Sequence, residues 1–112
     1  MIDQKLEKEI DMLHNRICHA LADPKRIQIL YLLSEKPCLV NELAEMLEMP
    51  QPSVSRHLGV LRERGLVDTE RQGTGIRYTL ADHRIIDALD LMRAILNTQL
   101  TASIELAKSL IE

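Results

Sequence analysis

Apolar residues return at helical spacing from the start of the chain. Leu6, Ile10, Leu13, Ile17 and Ala20 stand 4, 3, 4 and 3 positions apart, which predicts one amphipathic helix over about residues 3–21. Asp23-Pro24 marks a second start: the carboxylate can cap free N–H groups, and proline suits the first helical position. That helix runs to about Leu33, with Ile27, Leu30 and Leu33 inward, before Ser34-Glu35-Lys36-Pro37 breaks it. A third helix covers about Leu39 to Glu48, with Val40, Leu43, Ala44 and Leu47 on one face. Met49-Pro50-Gln51 reads as a turn. Pro52 then opens a fourth helix that ends at Arg64-Gly65, with Val54, Leu58 and Leu61 inward. Alternating β-formers on either side of Gln72-Gly73-Thr74-Gly75 read as a hairpin over residues 66–80. Asp82 caps a long last helix, about His83 to Ile111, along which Ile85, Leu89, Met92, Leu96, Leu100, Ile104 and Leu110 run.

Helix, short turn, helix and hairpin make a winged helix-turn-helix, whose second helix normally enters the DNA major groove. At roughly 100° per residue, Arg56 lies opposite the Val54/Leu58/Leu61 stripe, flanked by Ser53 and Ser55, with Gly59 on the same outward face. Arginine can make a paired contact to guanine, and serine reaches bases or phosphates. Gln51 at the helix start can donate to a phosphate or a base. His57, at the edge of the stripe, is either a phosphate contact or a half-buried interface residue. Arg71 and Arg77 give the hairpin the cations of a wing suited to backbone or minor groove. The expected fold is mainly α with a small β-hairpin wing. All 112 residues form one domain, with about 3–22 and 83–111 as dimerisation helices, 39–64 as the helix-turn-helix and 66–80 as the wing. The end helices are too long for so small a core to cover, so their apolar faces point to a homodimer.

Charge sharpens this picture. The chain carries 14 Lys+Arg against 17 Asp+Glu, for a net charge of −3. Residues 51–77 reverse the balance with five bases, all arginine, against three acids. A basic patch on an acidic protein suggests a focused polyanion contact, although a solvated face has the same composition. There is no Trp and no Phe, which argues against binding single strands by base stacking. No stretch approaches the roughly 20 apolar residues of a membrane span, and the N-terminus has no apolar signal core. Cys18 and Cys38 are too few for a disulfide framework, so the expected compartment is the cytoplasm.

Several runs of residues resemble the ArsR/SmtB family of bacterial transcriptional repressors. They are Ala20-Leu21-Ala22-Asp23-Pro24-Lys25-Arg26, Asn41-Glu42-Leu43-Ala44, Gln51-Pro52-Ser53-Val54-Ser55-Arg56-His57-Leu58 and Leu61-Arg62-Glu63-Arg64-Gly65-Leu66-Val67. The resemblance spans about residues 13–80. It implies a homodimer, joined through its terminal helices, that binds an inverted-repeat operator and leaves it when an effector arrives. The family's metal sites do not carry over. Its third-helix cysteine positions fall on Leu39 and Asn41, with Cys38 one residue too early. In its last-helix site Asp82 matches, but Arg84, Ile95 and Thr98 stand where ligands belong.

Three readings stay open for the remaining donors. Cys18 and Cys38 are small buried hydrophobes, or a thiol switch, or, with His14, ligands of a soft metal ion. No other cofactor is indicated. An enzyme is not expected: there is no phosphate-cradling glycine motif, no H-E-x-x-H and no G-x-S-x-G, and Ser55 and His57 lie on different sides of one helix. The rival is a winged helix used only for protein–protein contact, against which the Arg56 face lacks apolar or aromatic anchors.

Overall fold

Capping residues set where the helices begin. In the computed structural model, which describes residues 1–111, Asp3 Oδ1 accepts from Leu6 N at 2.8 Å and opens α1 (Gln4–Leu13). Asp23 Oδ1 accepts from Lys25 N at 2.8 Å and opens α2 (Pro24–Glu35) with proline in its first turn. Between them lies a feature that the apolar spacing conceals. His14–Cys18 forms a π-helical turn, so the first helix is not one regular α-helix to residue 21.

A short strand β1 (Cys38–Leu39) precedes α3 (Val40–Leu47), where the sequence suggested helix from Leu39 onward. Glu42 Oε1 accepts from Leu39 N at 2.8 Å and fixes the start of α3. Its end is a left-handed residue, Glu48 at φ 54°, with Met49 N donating to Ala44 O at 3.0 Å. Helix α4 (Gln51–Glu63) starts at Pro50 as N-cap, so Gln51 belongs to the helix and not to the turn. Gly65, at φ 79°, closes it, and Leu66 N donates to Leu61 O at 2.9 Å.

Strands β2 (Val67–Gln72) and β3 (Gly75–Leu80) form the hairpin, with Gly73 at φ 62° first in the two-residue turn, as a type II′ turn requires. The sheet is antiparallel in the order β1-β3-β2, with Cys38 opposite Tyr78 and Leu39 opposite Arg77. The core gathers Ile29, Leu30 and Leu33 of α2, Leu43 and Ala44 of α3, Val54, Leu58 and Leu61 of α4, and Cys38, Leu66 and Val67. Ile29 joins α2's inward set, where Ile27 is only half-buried.

Residues 1–82 form one compact unit, and the chain from His83 onward forms a second. The second is α5 (Arg84–Ile111), 28 residues and therefore ~42 Å long. Met92, Leu96, Leu100, Ile104 and Leu110 lie along it, all exposed, and Leu91, Ile95 and Leu106 make a second exposed row. In α1 no residue is buried, and Leu6, Ile10 and Leu13 are exposed too. No helix among the described residues is long and apolar enough to cross a membrane.

Candidate nucleic-acid interface

Burial of Val54, Leu58 and Leu61 to 0% exposure fixes which side of α4 faces out. That outer side carries Ser55 and Arg56, both exposed, and Gln51 is exposed at the helix start. Ser53 is half-buried, and its Oγ accepts from Arg56 Nη2 at 3.3 Å, which parks the guanidinium over the first turns of the helix. Gly59 is exposed on the same face, and a Cβ there would meet nothing within 4 Å.

His57 sits elsewhere. It is half-buried, and its Nδ1 accepts from Arg26 Nη1 at 3.3 Å. Arginine can only donate, so Nδ1 is the acceptor in this bond. Arg26 also donates from Nε to Ala20 O at 2.6 Å and from Nη2 to His19 O at 3.2 Å. The half-burial of His57 against Arg26 is what the half-buried interface alternative expects.

The wing arginines differ from each other. Ladder partners share a face and neighbours alternate, so the Glu70–Arg77 pair and the adjacent Arg71–Ile76 pair leave the hairpin on opposite faces. Arg77 is engaged inside the protein: Nε donates to Gln72 Oε1, and Nη1 stands 3.9 Å from Glu42 Oε1. Arg71 is exposed and makes no hydrogen bond or ion pair among the described residues. Between the wing and the start of α4 runs an open groove of about 500 Å³, lined in part by Asn41, Gln51, Thr74 and Tyr78. Asn41, Thr74 and Tyr78 escaped the sequence reading, because only the pairing of β1 with β3 brings the start of α3 beside the hairpin.

The sensing candidates separate. Cys38 is 1% exposed in β1, and its Sγ donates to Lys36 O at 3.3 Å. Burial, and next the Glu42 carboxylate, push its thiol above the ordinary range, against weaker opposing pulls from Lys36 and Arg77. Of the three readings left open, the buried hydrophobe is the one that expects this enclosure of Cys38. Cys18 is exposed on the π-helical turn. Among the described residues no three His, Cys, Asp or Glu side chains converge to hold a metal ion, so His14, Cys18 and Cys38 do not form a site within one chain.

These elements define a winged helix-turn-helix with an outward-facing polar α4. The model of the arsR family of bacterial regulatory proteins matches residues 23–69. The chain is 45% identical over 69 residues to the HTH-type transcriptional repressor SmtB of Mycobacterium tuberculosis, covering 62% of this chain and 51% of that protein. It is 40% identical over 82 residues to the HTH-type transcriptional regulator CmtR of Mycobacterium bovis, covering 72% and 70%. Among solved structures it is similar to the homodimeric winged helix-turn-helix DNA-binding domain of Mb0332 from Mycobacterium bovis, with TM-score 0.76, 27% identity and coverage of 88% and 91%. The chain belongs to the ArsR family. It spans about half the length of the SmtB relative it matches.

Proposed function

We propose that this chain is a homodimeric transcriptional repressor that binds double-stranded DNA carrying an inverted repeat. The observation that carries the reading is the division of α4. One side is wholly buried and the other presents Ser55 and Arg56, while Gln51 at the helix start lines a groove that leads to the wing. Arg56 reads a base edge in the major groove, and releasing it from Ser53 costs little because that bond is exposed. Gln51 and Arg71 hold phosphates. Arg77 orients the wing through Glu42, which also fixes the start of α3. His57 supports α4 from behind. Being a regulator of the chromosome, the protein works in the cytoplasm.

The second subunit follows from the exposed apolar faces of α1 and α5. The two rows on α5 together occupy more than half its circumference, so this helix needs cover from more than one side. A second copy supplies that cover and sets two α4 helices against half-sites about 34 Å, or a multiple, apart. The names of the relatives and the homodimeric state of the Mb0332 domain support this reading.

The test is duplex binding across salt concentrations, first with genomic fragments and then with the selected repeat. Arg56→Ala should cost about 1–3 kcal/mol on the selected repeat and flatten preference among sequences. Equal affinity of variant and wild type for the repeat would remove α4 from the groove.

A further inference from the structure

The π-helical turn His14–Cys18 stands where the first helix passes the end of α4. Widened turns of this kind recur at functional positions. Beside it opens a recess of about 450 Å³ lined by His14, Asn15, Cys18, His19, Ala22 and Arg64. No carboxylate lines it, in a chain with 17 acids. Two imidazoles, a thiol, an amide and a guanidinium make a set rich in groups that donate to an anion.

Arg64 is the unusual member. It caps the C-terminus of α4, and its Nη1 reaches back to donate to Asn15 O, inside the π-helical turn, at 2.8 Å. Its Nε is enclosed and has no acceptor. An enclosed donor left unpaired is costly, and an acceptor brought close to it is gained at once. An anion in the recess competes with Asn15 O for this guanidinium. Taking it loosens the tie between the first helix and α4, while the second tie, Arg26 to Ala20 O and His57, stays in place.

We propose that this recess binds a small oxyanion or carboxylate, and that occupancy weakens duplex binding by drawing Arg64 away from Asn15. The coupling half rests on the duplex-binding reading above; the binding half does not.

The test uses the full chain labelled with ¹⁵N, and inorganic phosphate replacing chloride at fixed pH and ionic strength. The expected result is a saturable shift confined to the amides of residues 14–22 and 64, weakened roughly tenfold in His14→Gln/His19→Gln. Both positions are exposed, so this variant keeps its fold. In the same buffers, phosphate should lower wild-type duplex affinity about fivefold and leave the variant unmoved, which separates the recess from phosphate competing at the DNA face. Shifts that are linear, spread over the wing or persist in the variant overturn the site. Saturable local shifts with unchanged duplex affinity overturn the coupling alone. A chain that binds no duplex overturns the earlier reading, and the amide titration still decides the site.

Discussion

Helix α4 and helix α5 are written in the same apolar code and end in opposite states. In α4 the stripe Val54, Leu58, Leu61 is fully enclosed, and the polar side is free to meet another molecule. In α5, Met92, Leu96, Leu100, Ile104 and Leu110 remain exposed in a single chain. Periodicity tells which side of a helix must be covered; it does not tell by what. For α4 the answer lies within the same unit of the chain; for α5 it is the second copy proposed above.

The comparison can be broken with one chemical change made in both helices. Leu58→Ala should destabilise the unit by about 2–5 kcal/mol, read by urea unfolding, because it empties a fully enclosed site. Leu100→Ala should act only through assembly. Its cost should vanish on dilution to monomer and should appear in sedimentation as a raised dimer dissociation constant. A Leu100→Ala cost that does not depend on protein concentration would mean that α5 is covered within one chain.

What was legible in the sequence follows the same division. The cap Asp23, the α4 stripe and the hairpin depend on near neighbours, and the structure has them where spacing puts them. Strand β1 was not legible: it is two residues long and exists because Cys38 and Leu39 pair with Tyr78 and Arg77 far along the chain. The π-helical turn was hidden because the apolar spacing runs through it unbroken, while the arginine that meets it, Arg64, lies 49 residues away. The wing shows the limit most clearly. Arg71 and Arg77 read as equivalent cations, yet only Arg77 meets Glu42, and only the sheet register shows it.

That difference yields the next prediction. Arg71→Ala should lower the salt dependence of duplex binding by about one unit of slope, with a similar loss on all sequences, because it removes one phosphate contact. Arg77→Ala should leave the slope nearly unchanged. Its ion pair with Glu42 leaves both side chains 35% exposed, so losing it should cost at most about 1 kcal/mol of stability. Equal slope changes in the two variants would show that Arg77 leaves Glu42 when DNA arrives.

The smallest effect concerns the two thiols, which contrast as α4 and α5 do: Cys38 is enclosed in β1, Cys18 exposed on the π-helical turn. Burial raises the Cys38 thiol, so the fold favours the neutral form over the thiolate. For a group raised in this way, the stabilising contribution is fully present below the ordinary thiol value of 9.0 and is lost as pH climbs through the higher folded-state value. Wild type should therefore lose more stability than Cys38→Ala between about pH 8 and about pH 10. Urea midpoints of both proteins at the two pH values measure it, the tyrosines and lysines common to both cancelling in the difference. Iodoacetamide at the lower pH should label Cys18 in the folded protein and reach Cys38 only on unfolding. A gap between the two proteins that does not change with pH, or labelling of both thiols at one rate, would mean that β1 opens to solvent. The thiol-switch reading of Cys18 and Cys38 would then be favoured over the buried-hydrophobe reading.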